Sequence, residues 1–112
     1  MKPLPELELS ETEIQSLILK FLKAIKIRAW RNNIDMRGRV HHGLCVGSSD
    51  IIGIFHGLFL AIEVKIPGKT PTDDQWKFIN NVISSGGIAF YACSVDEVRK
   101  ALISAHKRIV RK

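Results

Sequence analysis

The stretch SSDIIGIFHGLFLAIEVKIPGK, residues 48–69, decides the fold of this chain. Its two halves, DIIGIF and LFLAIEVK, are rich in β-forming residues and are separated by His56-Gly57. A two-residue connection with glycine is typical of a tight hairpin turn, because glycine tolerates the positive φ that such turns need. We therefore predict an antiparallel hairpin in which Phe55 pairs with Leu58.

The register of this hairpin brings three charged side chains together. Counting outward from the turn sets Asp50 opposite Glu63, and side chains opposite each other on antiparallel strands have Cβ atoms about 4.5–5.5 Å apart. Because strand side chains alternate between faces, Lys65 points to the same side as Glu63. Two carboxylates on a half-buried sheet repel unless a proton or a cation offsets them. A divalent cation such as Mg²⁺ meets that requirement, and the alternative is an ion network made by Lys65 alone.

The segments on either side of the hairpin predict helices and two further strands. A first helix begins after Ser10, where Glu13 completes a capping box, and IRAWRNN follows as a strand. Thr72 caps a second helix, IAFYAC forms a fourth strand, and a last helix follows Ser94, which forms a further capping box with Glu97. The order α-β-β-β-α-β-α predicts an α/β fold with a mixed central sheet flanked by helices.

Charge and composition limit the classes of partner. The chain carries 17 lysine and arginine residues against 11 aspartate and glutamate residues, a formal net charge of +6, which favours nucleic acid or an anionic membrane surface. No segment resembles a spanning helix or a signal peptide, so we expect a cytoplasmic protein outside the membrane. Cys45 and Cys93 form no CxxC pair, which argues against a zinc site. We divide the chain into an extended leader (1–9), a single domain (10–106) and a basic tail (107–112).

Several motifs, taken in order, resemble one group of enzymes. They are a glutamate in the first helix, G-x-x-D at residues 47–50, E-V-K at residues 63–65, a glutamine in the next helix, and Gly-Gly before the fourth strand. Together they resemble the PD-(D/E)xK nuclease superfamily and, within it, the VRR-NUC domain (virus-type replication-repair nuclease) in its stand-alone form. The resemblance extends from about residue 10 to residue 102. It implies a restriction-endonuclease-like α-β-β-β-α-β core, followed here by a C-terminal helix.

The resemblance also implies a metal-dependent active site. By position, Asp50 and Glu63 would ligate Mg²⁺ or Mn²⁺ together with the backbone carbonyl of Val64. Lys65 would orient or help to deprotonate the attacking water and would stabilise charge on the phosphate. Gln75 would support the site from the following helix, although it also fits a capping box with the residue three positions before it.

The first-helix acid of this implied site is either Glu11 or Glu13. Glu13 already fits as the capping-box partner of Ser10, whereas Glu11 shares a helix face with Ile14 and Ile18. We therefore prefer Glu11 as a further catalytic residue and metal ligand.

Basic residues between the first two strands are candidates for DNA contacts, with one lysine beyond the hairpin. These candidates are Arg31, Arg37, Arg39, His41, His42 and Lys69. The alternative is a solvated basic loop. We expect Trp30 and Trp76 to be core or interface anchors rather than base-stacking groups, and either Phe90 or Tyr91 to face the core.

The resemblance and the charge predict a metal-dependent, structure-selective DNA endonuclease that hydrolyses phosphodiester bonds in branched DNA, such as four-way (Holliday) junctions. Because symmetric cutting of two strands requires two active sites, we expect a homodimer with two-fold symmetry. Flaps, nicked duplex and restriction-like sites remain open as substrates. A catalytically silent DNA-binding module and a scaffold with only an ion network also remain open. A phage-encoded protein acting in a bacterial host would fit this reading.

Overall fold

The structure is a computed structural model that describes residues 8–32 and 43–111. Within these ranges the chain forms three helices and four strands, in the order that the sequence predicts. They are α1 (Glu11–Ala24), β1 (Arg28–Arg31), β2 (Ile51–Phe55), β3 (Leu58–Val64), α2 (Asp73–Ser84), β4 (Ile88–Ala92) and α3 (Val95–Val110). α3 therefore continues into the segment 107–112 that the sequence analysis treats as a tail. In this described part of the chain, no helix has the length and apolar character to cross a bilayer.

The sheet is mixed, as predicted, with the strand order β1-β2-β3-β4. β2 pairs antiparallel with β1 and β3, whereas β3 and β4 run parallel and are joined through α2. The predicted hairpin register is confirmed, because Phe55 pairs with Leu58 and the ladder continues to Ile51 opposite Ile62. His56 and Gly57 both have positive φ, at 50° and 79°, as a type I′ turn requires. The next step beyond Ile51 sets Asp50 beside Glu63.

One face of the sheet carries the main core. Leu60, Ile62 and Val64 alternate along β3 and are fully buried, and they pack with Ile18 of α1 and Val98 of α3. α1 also contacts β1, and α3 contacts α1 and β4. α2 lies against β3 and β4. The intervening residues of β3, which include Glu63, therefore belong to the face on the other side from this core.

The helix starts follow the local sequence closely. Capping boxes with both hydrogen bonds are present at Ser10 with Glu13 and at Thr72 with Gln75. The box predicted before α3 is only half formed. Ser94 accepts from the Glu97 N–H, but the Glu97 carboxylate accepts from the N–H of Cys93 at 2.9 Å, one residue earlier than a capping box would use.

Gly47 lies where the loop before β2 packs against α2. Its φ is 83°, and a Cβ atom there would lie 2.6 Å from the carbonyl oxygen of Asp74. Gly57 has a similar φ of 79° but no atom within 4 Å of the corresponding position, so it is a matched control. We expect Gly57→Ala to lower the free energy of unfolding by about 1 kcal/mol from backbone strain alone.

Gly47→Ala should lower the free energy of unfolding by about 1–3 kcal/mol more than Gly57→Ala does. The added methyl group would overlap the carbonyl oxygen of Asp74, and this overlap adds to the backbone strain. Urea unfolding of both variants and the wild type measures the difference. Equal losses in the two variants would contradict close packing of this loop.

Candidate active site

The buried carboxyl group of Glu63 and the half-buried carboxyl group of Asp50 lie together where β2 begins and β3 ends. Glu63 is only 2% exposed, and its Oε1 has no hydrogen-bond partner. Its Oε2 lies 3.9 Å from Nζ of Lys65. Asp50 shares a side-chain hydrogen bond with Glu63, and its Oδ2 accepts from the N–H of Val64 at 2.9 Å. The structure thus brings together Asp50, Glu63 and Lys65 as the hairpin register predicts.

The electrostatics of this pair follow from burial. Burial raises the pKa of Glu63 from 4.5 to about 9, and the hydrogen bond and the charge of Asp50 act in the same direction. The positive charge of Lys65 lowers this pKa but does not offset the other effects, and the charge of Glu11 raises it further. Without a cation, the carboxyl group of Glu63 therefore stays protonated at neutral pH. Glu11 is the first-helix acid whose charge acts on Glu63.

The oxygen atoms of the pair fit a hard divalent cation. The unpartnered Oε1 of Glu63, the carboxylate of Asp50 and the backbone carbonyl of Val64 are the kinds of ligand that Mg²⁺ prefers, and Mg²⁺ keeps several waters. Over residues 8–32 and 43–111, no group of three or more histidine, cysteine, aspartate or glutamate side chains is arranged to hold a metal. The role of Glu11 as a metal ligand stays a prediction.

Lys65 and Gln75 differ in how they are held. Lys65 is 9% exposed, and its backbone N–H donates to the carbonyl of Ala92 at 3.0 Å, which fixes the chain just after β3. Gln75 accepts from the N–H of Thr72 at 2.8 Å through its side-chain oxygen, so the capping contact is present. Its support of the site remains a prediction.

The end of β1 holds the loop that carries Asp50. Asn32 is 7% exposed, and its side-chain amide donates to Oγ of Ser48 at 2.8 Å and to the carbonyl of Ser49 at 2.9 Å. Its backbone N–H donates to the carbonyl of Asp50 at 2.8 Å. Sequence reasoning did not single out Asn32, because no local motif indicates a contact that spans 16 to 18 residues.

Arg31, the last residue of β1, is held by hydrogen bonds to α1. Its guanidinium donates to Oε1 of Gln15 at 2.6 Å and to Oγ of Ser16. The guanidinium also donates to the carbonyl of Thr12 at 3.4 Å. This residue, predicted to contact DNA, therefore ties β1 to the first turns of α1, the helix that carries Glu11.

The structure describes one of the remaining DNA-binding candidates. Lys69 is exposed in the loop after β3. The other four, Arg37, Arg39, His41 and His42, lie outside the described residues. The contacts of all these residues with DNA stay predictions.

An open groove lies away from the acidic pair. It has a volume of about 670 Å³ between α1, β2 and α3, and its lining includes His56 of the hairpin turn and His106 of α3. None of the predicted catalytic residues lines it. The carboxyl groups lie at the opposite end of the hairpin from this groove.

The acidic pair makes stability depend on pH. Because the pKa of Glu63 is raised in the folded state, its contribution to the free energy of unfolding is fully present below pH 4.5 and is lost as the pH rises through about 9. The loss is at most about 1.4 kcal/mol per pH unit in this window. We expect Glu63→Gln to remove this dependence in chelator-treated protein, because glutamine stays neutral.

Urea unfolding between pH 5 and pH 9 measures this effect, and Glu8→Gln, at an exposed glutamate, is the control. The wild type and the control should lose stability along the same slope. A Glu63→Gln protein with that same slope would contradict the assignment of the proton to this pair.

Asn32→Ala tests the hydrogen bonds that hold the loop before β2. The substitution leaves the buried carbonyl of Ser49 without this donor, so we expect the free energy of unfolding to fall by about 1–3 kcal/mol. Asn80→Ala, at an exposed asparagine of α2, is the control and should change stability by less than about 0.5 kcal/mol. Urea unfolding measures both variants, and equal effects would show that the Asn32 contacts do not stabilise the fold.

Comparison with known proteins bears on the fold. No protein-family model matches this chain, and no curated protein matches it. A solved structure described as a VRR_NUC domain matches with a TM-score of 0.60 and 21% sequence identity, over 80% of this chain and 90% of that chain. The fold predicted from the motifs is therefore confirmed, and the chain has a VRR-NUC-like fold with a restriction-endonuclease-like α/β core.

Proposed function

We propose that this protein is a metal-dependent nuclease that hydrolyses phosphodiester bonds in DNA. The observation that carries the proposal is the buried Glu63, whose Oε1 lacks a partner, beside Asp50 and Lys65. A nuclease-family fold makes this arrangement functionally meaningful, because such folds typically use divalent metals. The net charge of +6 supports a polyanionic substrate.

Each side chain of the site has its own role in the proposed hydrolysis. Asp50 and Glu63, with the Val64 carbonyl, hold Mg²⁺ or Mn²⁺, which activates water and neutralises charge on the phosphate when it is bound. Lys65 directs its ammonium group to the attacking water and to the phosphate oxygen on which negative charge develops. Glu11 adds negative charge at the edge of the site, and Gln75 supports the site from the first turn of α2.

The substrate we propose is branched DNA, with four-way junctions as the leading example. The described residues form one α/β fold around a single four-stranded sheet, to which no separate sequence-reading module is attached. This supports selection by DNA shape rather than by sequence. An intracellular site of action, for a phage-encoded protein in a bacterial host, is part of the proposal.

A homodimer would supply the two active sites that symmetric cutting needs. An apolar area on the sheet supports this part of the proposal. Trp30, Ile54 and Phe59 share one face of β1, β2 and β3, and they are 52%, 50% and 40% exposed. A contiguous exposed area of large apolar side chains is typical of a surface that a protein partner covers.

A cleavage assay tests the proposed activity. End-labelled four-way junction, flap and linear duplex are incubated with Mg²⁺, with Mn²⁺ and with EDTA. We expect metal-dependent cutting of the junction, and a loss of about 10²-fold or more in Lys65→Ala, because the variant removes a charge that acts on the transition state. Lys77→Ala, at an exposed lysine of α2, should cut like the wild type.

The outcomes separate the parts of the proposal. Cutting of every substrate at similar rates would support the chemistry and overturn the structure selectivity. Binding of DNA without cutting, under any metal, would assign the protein as a silent DNA-binding module. Loss of activity in Asp50→Asn together with loss of measurable Mn²⁺ binding would support the metal-ligand role directly.

A further inference from the structure

An exposed aromatic pair lies directly beside the acidic site. Tyr91 of β4 is the register partner of Glu63 in the parallel pairing with β3, so the two side chains point to the same face of the sheet. Adjacent strands are about 4.8 Å apart, which makes Tyr91 an immediate neighbour of Glu63. Trp76 follows Gln75 in the first turn of α2, and its ring meets Tyr91 edge to face, with ring centroids 5.6 Å apart.

The core does not account for the position of these rings. Phe90, the neighbour of Tyr91, packs against the core cluster, whereas Tyr91 points away from it. Trp76 is 38% exposed and Tyr91 is 37% exposed, although the sequence analysis expects Trp76 to be a core or interface anchor. Large aromatic rings bury well in a core, so two that touch each other and stay this exposed next to a charged site need another explanation.

We propose that Trp76 and Tyr91 form a platform on which an unpaired nucleobase stacks, next to the phosphate bound at Asp50, Glu63 and Lys65. This inference rests on the proposed nuclease function and names its substrate class: DNA with an unpaired nucleotide at the position of cleavage. The edge-to-face contact fixes the two rings relative to each other, so less freedom is lost when a base stacks.

Base pairing decides which DNA can use such a platform. In duplex DNA the faces of each base are covered by its neighbours, so they are not available to a protein ring. At a flap, at a bubble or where base pairs beside a branch point open, an unpaired base offers its face to aromatic side chains. Stacking does not depend on base identity, because every base has a π-face, so the platform selects structure and not sequence.

Tryptophan fluorescence gives a direct readout of stacking. The chain has two tryptophans, and Trp30→Phe leaves Trp76 as the single reporter. Lys65→Ala is added so that the DNA stays intact. This double variant is titrated, in EDTA, with a duplex that carries a single-stranded flap and with a fully paired duplex of the same length. We expect the flap to quench the Trp76 fluorescence and the paired duplex to leave it unchanged.

Substitution of the platform gives an independent test. Trp76→Ala should weaken binding of the flap duplex by between about five-fold and about 150-fold, the range that stacking of one base supplies. Binding of the fully paired duplex should change by less than about two-fold, because it presents no base to stack. Trp76→Phe and Tyr91→Phe keep an aromatic ring and should bind nearly as the wild type does.

The outcomes distinguish the stacking platform from the proposed nuclease function. Equal quenching by both DNAs, or unchanged flap affinity in Trp76→Ala of a protein that still cuts DNA, overturns the platform and leaves the nuclease. No binding of either DNA by the wild type overturns both. If Trp76→Ala fails to fold by circular dichroism, the fluorescence titration of the Trp30→Phe protein decides alone.

Discussion

Two carboxyl groups, of Glu63 and Asp50, share a buried space in which the ammonium group of Lys65 lies 3.9 Å from the nearer oxygen of Glu63. Desolvation disfavours the charged form of Glu63, so the pair retains a proton or takes up a cation. An apolar pair of the same shape would be more stable in a fold of this size. The structure keeps the unfavourable pair at the end of its central hairpin, and the packing of the neighbouring elements supports it there.

That support comes from several directions. The type I′ turn at His56-Gly57 sets the register that brings Asp50 to Glu63. Asn32 then holds residues 48–50 through three hydrogen bonds, and Arg31 ties the same strand end to α1. A short strand at the edge of the sheet thus links the helix that carries Glu11 to the loop that carries Asp50.

In the proposed function, catalysis and substrate selection use neighbouring parts of one surface. The acids and Lys65 would act on a phosphate, which every DNA has, so they could not by themselves distinguish a branch from a duplex. The aromatic pair beside Glu63 would bind the base face that only an unpaired nucleotide exposes. Such an arrangement would let a small fold select a DNA structure without a separate reading domain, because selection would occur where the bond is cut.

Local sequence determined much of this protein. The hairpin register, the capping boxes at Ser10 and Thr72 and the order of elements depend on residues that lie within a few positions of one another, and so the motifs predicted them. The tertiary structure decided which side chains meet across the sheet. It brought the charge of Glu11 to bear on Glu63, turned Arg31 towards α1, buried Asn32 under the loop, and left Tyr91 rather than Phe90 exposed beside Trp76. These contacts join residues up to 52 positions apart or depend on which face of β4 the helices cover, and no local pattern encodes either.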